Sequence, residues 1–228
     1  MSLSRRTLLA GAGTLLAGAS AQDHAFAKAF GAANAKIFAD TRSFGGLRPS
    51  GQAAFGAHPV GPRSLWLQRT DGQEIMVRFR DETSYDRAAI MQLSWFMRDL
   101  ADHGHAVWME PRLFDLLAGV QHGMSTVAGA PVPLVVTSGY RTPAHNARIE
   151  TAARNSMHLY GYAADLYAPG YSPRALALAA SFFAGGGIGL YDNFTHLDVW
   201  KVRAWLGAPA HRPVAQGEKA GTVMKPPA

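Results

Sequence analysis

The sequence predicts an α+β domain in which a small antiparallel sheet carries helices packed on one side. Two short segments that alternate apolar and polar residues flank a turn at 70–72, which is typical of paired strands. Segments with apolar residues at helical spacing follow them, and short apolar runs return later in the chain. With 228 residues, 48% of them hydrophobic and 17% charged, the chain is long enough for one well-packed domain and short for two.

The first elements are a hairpin and two helices. Residues 64–69 and 74–80 form the alternating pair, which predicts a β-hairpin. Residues 84–102 place apolar side chains at helical spacing and stop before Gly104, so they predict an amphipathic helix. A second helix is expected to begin near Pro111, because proline is tolerated in a first helical turn.

The second half of the chain alternates strands and helices. The predicted elements are a valine-rich strand at 131–138, a helix at 143–152, a strand at 162–167, a helix from Ser172 to about Ala184, and strands at 188–191 and 194–200.

The ends of the chain have a different composition. Residues 28–40 predict a short helix, and residues 41–62 contain so many glycines and prolines that they predict a linker of unknown role. Residues 207–228, rich in Pro, Gly and Ala, predict a loosely ordered tail. The domain itself is expected to span 63–206.

The N-terminus has the features of an export signal. Arg5 and Arg6 precede an apolar stretch that is shorter than the roughly 18 residues a membrane span needs. Small-residue cleavage motifs end at Ala21 and Ala27. We therefore expect residues 1–27 to be a twin-arginine signal peptide, cleaved near 21 or 27, that delivers the protein to the periplasm or cell envelope. A retained membrane anchor is the alternative.

The charge balance favours an anionic polymer as partner. The net charge is +6, yet no run of Lys or Arg interleaved with aromatic residues suggests nucleic acid. For an exported protein the available polymer is the cell wall. The absence of cysteine fits an exported protein without disulfides but decides little.

The stretch 156–165 contains the strongest chemical signal. His158 and Asp165 are good zinc ligands, and Gly161 between them allows a tight turn. His196 supplies a third ligand, and a set of two imidazoles and one carboxylate leaves a coordination position open, as in catalytic zinc sites. Spacing alone leaves the alternative that these are ordinary hydrogen-bonded or solvated residues.

The pattern Ser156-x-His158-x-x-Gly161-x-Ala163-x-Asp165 resembles the first metal motif of the D-alanyl-D-alanine carboxypeptidase-type zinc peptidases, a group that also contains lysostaphin-like enzymes and the hedgehog domain. The similarity continues in the blocks 138–143 with Asn146, 186–191 and 194–198. Their order most resembles the murein endopeptidase K branch, and the similar region runs from about 63 to 205. The resemblance implies a hedgehog/D-Ala-D-Ala peptidase-like fold, a zinc cofactor and peptidoglycan peptides as substrate.

Further residues are candidates for contacts with substrate. Arg141 stands at the end of a predicted buried strand, where its guanidinium could bind a substrate carboxylate or stabilise an oxyanion. The resemblance implies that role for the arginine after Ser-Gly-Tyr, and an ion pair with a structural acid is the alternative. Ser156 and Tyr140 are weaker candidates for substrate binding.

The general base is less clear from the sequence. Many relatives have Glu, Asp or His two or three residues before the last ligand, where this chain has Phe194 and Asn193. We prefer Asp198 to Asp192, because Asp198 lies two residues after His196 and residues two apart in a strand face the same side of the sheet. Asp198 could then lie beside a metal-bound water or hold the ring of His196.

These features lead to two main hypotheses. The first is a zinc-dependent murein endopeptidase or carboxypeptidase that cuts a bond next to a D-amino acid in stem peptides or cross-links. The alternative is a zinc-bearing cell-wall binding module without catalysis, and a metal-free wall-binding domain is weaker still. The glycines at 185–189 do not indicate a phosphate loop, because no Lys-Ser/Thr follows them.

Overall fold

The computed structural model describes residues 20–23, 25, 28, 63–150, 152–183 and 185–207. The predicted linker lies outside these residues, as do nearly all of the predicted signal peptide, the helix at 28–40 and the tail. Those expectations and the domain boundaries drawn from them therefore stay predictions. In the part of the chain that is described, no helix has the length and apolar character needed to cross a membrane.

The described residues from 63 to 207 form seven strands and four α-helices, and most predicted elements are confirmed with shifted ends. The chain order is β1 (Arg63–Arg69), β2 (Glu74–Arg80), α1 (Arg87–Phe96), α2 (Pro111–Ala128), β3 (Leu134–Ser138), α3 (Pro143–Arg148), a 3₁₀ turn (Met157–Tyr160), β4 (Ala163–Tyr167), α4 (Pro173–Ser181), β5 (Gly187–Leu190), β6 (Thr195–Asp198) and β7 (Arg203–Leu206).

The α+β class is confirmed, but the small antiparallel sheet is wrong. All seven strands form one mixed sheet in the order β2-β1-β3-β4-β6-β5-β7. β1 pairs with β3 in parallel across the crossover made by β2, α1 and α2, and β7 runs parallel to β5. β7 pairs with the free edge of β5. It cannot pair with β6, because β4 and β5 already occupy both edges of that strand. No strand was predicted at the position of β7.

Helix α1 ends earlier than its apolar periodicity predicts. Asp86 caps its start by accepting hydrogen bonds from the N–H groups of Ala88 and Ala89. At the other end the carbonyl of Met97 accepts from the backbone N–H of Tyr140 at 2.9 Å. The carbonyl thus has a partner outside the helix, and the following residues form turns.

The alternation of side chains along β4 and β6 separates the core from the site. Ala164, Leu166 and Leu197 belong to the hydrophobic core that the sheet shares with α1, α2 and α4. Asp165 and His196 point to the opposite face, because neighbouring residues in a strand alternate. Burying one Leu side chain stabilises a fold by about 1.5–3 kcal/mol, so the apolar face holds the sheet and determines which residues line the site.

Candidate metal centre

His158 is carried by a tightly fixed turn. The 3₁₀ turn Met157–Tyr160 begins at Ser156, whose side-chain oxygen accepts from the N–H of His158, and ends at Gly161 with φ 69°. This left-handed conformation favours glycine, and a Cβ there would also come within 3.2 Å of the backbone of Trp108. The turn keeps His158 almost fully buried, with 1% of its surface exposed.

Asp165 and His196 are brought together by strand pairing. They are direct partners in the antiparallel ladder between β4 and β6, so their side chains lie side by side on one face of the sheet. Both residues are buried. Because the ladder is continuous on either side of this pair, the backbone determines where both side chains begin.

Three potential ligand atoms meet at this point. Nε2 of His158 lies 3.1 Å from Oδ1 of Asp165 and 3.1 Å from Nδ1 of His196. Nδ1 of His196 lies 2.8 Å from the same carboxylate oxygen. Among the described residues these three form the group of His and acidic side chains able to hold a metal ion.

The outer nitrogen of each ring lies beside a hydrogen-bond acceptor. Nδ1 of His158 donates to the carbonyl of Gly139 at 2.6 Å, because a carbonyl can only accept. Nε2 of His196 lies 3.2 Å from the Asp198 carboxylate, which likewise accepts. When Nε2 of His196 donates to Asp198, the inner nitrogens of both neutral rings have their lone pairs beside the Asp165 oxygen. This arrangement fits a bound cation, and such outer hydrogen bonds are usual for metal-ligating histidines.

Electrostatics follow from burial and from these contacts. Burial lowers the pKa of the His158 imidazole, and the attraction of Asp165 does not offset it. Burial alone would raise the pKa of Asp165, but the two histidines outweigh it and hold that pKa below its usual range. Burial alone would lower the pKa of His196, but its contacts with the Asp165 and Asp198 carboxylates outweigh burial and raise that pKa. The carboxylate of Asp165 is therefore ionised and ready to act as a ligand.

Arg141 lies beside the three side chains and pairs with one of them. Its guanidinium forms an ion pair with the second oxygen of Asp165. Its Nε donates to the Ser138 hydroxyl at 2.7 Å, and its backbone N–H donates to the carbonyl of His158. Arg141 thus contacts an acid of the site, and it also borders the cleft.

Asp198 is fully buried and hydrogen bonded on both oxygens. One oxygen accepts from the backbone N–H groups of Gly187 at 3.0 Å and Trp200 at 2.9 Å. The other lies near His196 and accepts from Arg203 at 2.7 Å. Burial would raise the pKa of Asp198, but these partners outweigh it and lower the pKa. Of its two predicted roles, this position favours holding the ring of His196.

The remaining candidates are placed differently. Ser156 is buried, caps the turn and borders the cleft. Tyr140 is half-buried and is not among the described residues that line the cleft. Asp192 is exposed in the connection between β5 and β6. The geometry therefore supports a contact with substrate more strongly for Ser156 than for Tyr140.

The cleft in front of the three side chains has a volume of about 350 Å³. One wall is made of small and aliphatic residues at 149–157, and the other is aromatic. In that wall Tyr191 and Phe194 stack with ring centroids 4.4 Å apart. Two larger grooves, of about 460 and 630 Å³, have no Asp or Glu in their linings, so neither has the acidic groups of a hydrolytic centre.

Among the residues that line the cleft, Arg203 and Trp205 are polar or aromatic side chains on a strand for which no site residue was predicted. Both belong to β7, the strand that was not predicted. In the sheet, Gly187 is paired with Arg203 and Gly189 with Trp205. Only the alignment of β5 with β7 shows this pairing, so the sequence alone gave no signal for the two residues.

Comparisons with known proteins give one family and one relative. Residues 58–205 match the family described as peptidoglycan L,D-endopeptidase MepK. The probable peptidoglycan L,D-endopeptidase MepK of Haemophilus influenzae is 28% identical over 153 residues, which cover 64% of this chain and 80% of the relative. No solved structure matches the chain. The matched region contains all three potential metal ligands.

Proposed function

Because the chain belongs to the MepK family of peptidoglycan L,D-endopeptidases, we propose that it is a zinc-dependent peptidase of the cell wall. Membership makes it a hydrolase that acts on peptidoglycan, as the sequence resemblance indicated. The proposal adds that the metal is zinc and that the bond cut is a peptide bond next to a D-configured residue in stem peptides or cross-links. The family description favours internal cleavage between an L and a D residue over carboxypeptidase action.

One observation carries the proposal. His158, Asp165 and His196 direct three potential ligand atoms at one point, and each ring has its other nitrogen bound to an acceptor. Two histidines and one carboxylate are a usual set for catalytic zinc, which keeps a position open. Outer hydrogen bonds of this kind are usual for histidines that bind a metal.

The residues around the three ligand atoms have distinct parts in the proposed mechanism. His158, Asp165 and His196 would hold a zinc ion, which would supply a Lewis acid able to activate water near neutral pH and to polarise a peptide carbonyl. Gly139 and Asp198 keep the proton of each imidazole on the outer nitrogen, so the inner nitrogens remain available as ligands. Asp198 thus orients His196 in this proposal.

Arg141 is proposed to act on both the site and the substrate. Its ion pair with Asp165 holds the second carboxylate oxygen and turns the first towards the histidines. A guanidinium has further N–H groups, and those directed at the cleft can bind a substrate carboxylate or the oxygen on which charge develops. Ser156 can add a contact at the same wall.

The location follows from the substrate. Peptidoglycan lies outside the cytoplasm, so an enzyme that acts on it is expected there. The twin-arginine signal at residues 1–27 is the proposed route, and the net charge of +6 suits an anionic wall.

A digestion experiment tests the proposal. Purified peptidoglycan is incubated with the wild-type protein, with the Asp165→Ala variant, and with wild-type protein treated with a chelator and then resupplied with zinc. We expect wild type to release peptides whose masses identify an L,D bond, and chelation to stop release until zinc returns. Binding to the wall without any release would instead favour the non-catalytic binding module.

A further inference from the structure

Two rows of side chains cross the site face of the sheet. In the first row Asp165 pairs with His196, His196 with Gly189, and Gly189 with Trp205. The adjacent row contains Asp198 on β6, with Gly187 on β5 paired to Arg203 on β7. In each row β5 contributes a glycine, so residues on β6 and β7 face each other across a strand without a side chain.

The glycine of the first row brings Trp205 to the metal ligand. A Cβ at Gly189 would come within 2.6–2.9 Å of the indole of Trp205, closer than real Cβ atoms approach. Because that space is empty, the ring of Trp205 lies 5.3 Å from the ring of His196. Trp205 therefore covers one side of this imidazole.

The glycine of the second row allows an ion pair. A Cβ at Gly187 would be 2.4 Å from Oδ2 of Asp198 and 2.5 Å from the Arg203 guanidinium. In its absence the guanidinium contacts both carboxylate oxygens, at 2.7 and 3.2 Å. This two-point contact fixes the plane of the Asp198 carboxylate, which a single point charge would not do.

Arg203 is itself held in place from several directions. Its guanidinium lies 4.8 Å from the ring centre of Trp205 and 5.5 Å from that of Trp200. It also donates to the carbonyl of Lys201 at 2.9 Å. A side chain with this many contacts has little freedom to turn away from Asp198.

We infer that Arg203 is a positioning residue for the metal centre, acting through Asp198 on the ring of His196. Arg203 orients the carboxylate, the carboxylate accepts the outer N–H of His196, and the inner nitrogen is thereby aimed at the metal. Gly187 and Gly189 leave the space that this arrangement needs, which gives the glycine-rich segment a role. The inference rests on the proposed function in one respect, that the three side chains bind zinc.

The test measures zinc affinity and needs no wall substrate. Zinc dissociation constants are obtained by competition with a chromophoric chelator for the wild type, Arg203→Gln and Gly187→Ala. Loss of a residue that orients a metal ligand typically weakens metal binding by about 10- to 100-fold. We expect a weakening of that size in both variants, and a changed visible spectrum of the Co²⁺-loaded protein that reports altered ligand geometry.

A matched control separates positioning from general stability. Arg80 also pairs with a buried acid, Asp115 at 2.8 Å, and lies 4.7 Å from the ring centre of Tyr85, but it is outside the cleft. Arg80→Gln should lower the melting temperature without changing the zinc dissociation constant. Arg203→Lys, which keeps the charge but loses the two-point contact, should weaken zinc binding less than Arg203→Gln and remains informative should the latter not fold.

The outcomes are distinguishable. If wild type binds zinc and both Arg203 variants bind it within a factor of about two, the inference is wrong and Arg203 stabilises only the fold. A wild-type protein that binds no zinc would overturn the proposed function, and this inference would be lost with it.

Discussion

Nε2 of His158 and Nδ1 of His196 face each other at 3.1 Å, while the outer nitrogen of each ring lies beside an acceptor, the Gly139 carbonyl and the Asp198 carboxylate. When the protons are on the two outer nitrogens, the inner lone pairs repel at this distance unless a cation lies between them. The Asp165 oxygen, 2.8 Å from His196, adds negative charge at the same point. The contact between the two rings is therefore the clearest indication of a cation site in the described fold.

The first prediction concerns metal stoichiometry. Wild-type protein should contain one zinc ion per chain, and His158→Ala or Asp165→Ala should reduce this to near zero, because two remaining ligands hold zinc poorly. Elemental analysis of purified protein measures it. The control is His122→Ala, an exposed helical position away from the cleft, which should keep full occupancy. Full zinc content in His158→Ala would show that the ligands lie elsewhere.

The second prediction concerns Arg141. At saturating zinc, Arg141→Ala should still hold the metal but lose about 10²- to 10³-fold in turnover, the usual effect of removing a preorganised donor. Steady-state rates on a purified wall peptide provide the measurement. The Michaelis constant should rise as well if Arg141 binds a substrate carboxylate in the ground state. A turnover close to that of the wild type would show that Arg141 does not act on the substrate and that its role is limited to the ion pair with Asp165.

The third prediction distinguishes two roles for Asp198. In Asp198→Asn the side chain still accepts from His196 but pairs less well with Arg203, so zinc binding should weaken while turnover at saturating zinc is largely kept. A general base would behave differently: its loss costs about 10²- to 10⁴-fold in turnover even when zinc is saturating. Rates for Asp198→Asn and Asp192→Asn over a range of zinc concentrations measure this. A large loss confined to Asp192→Asn would identify Asp192 as the base.

The fourth prediction is a pH dependence of stability at Tyr85. Burial, and then the hydrogen bond to Asp115, raise the pKa of Tyr85 to about 12 from 10.0. Between these values the unfolded chain loses the phenolic proton while the folded chain keeps it, so stability falls as the pH rises. Urea unfolding at about pH 8 and about pH 11 should show a smaller loss for Tyr85→Phe than for wild type. Equal losses would contradict the prediction.

The fifth prediction concerns export. Changing Arg5 and Arg6 together to lysine should retain the protein in the cytoplasm, because the twin-arginine pathway reads the arginine pair and not only its charge. Cell fractionation followed by immunoblotting gives the distribution. Unchanged export of the double variant would indicate the general secretory route.

The spacing of residues along the chain was sufficient to predict those features of the site that lie within a single turn or strand. The turn at Gly161 is predictable because glycine tolerates a positive φ. His196 and Asp198 share a face of the sheet because side chains alternate along a strand. The hairpin and the start of α2 at Pro111 were predictable for the same reason, since each depends on neighbouring residues. These features depend on short-range sterics, which the sequence determines directly.

The tertiary structure decided which distant segments lie beside the metal ligands. β7 has only four residues and no strong periodicity, and it becomes a strand because the edge of β5 offers unpaired hydrogen-bonding groups. Arg203 reaches Asp198 through that pairing, and only the resulting contacts show that Asp198 is enclosed and not free in the cleft. Parallel pairing depends on where a crossover returns the chain, and no local pattern contains that information.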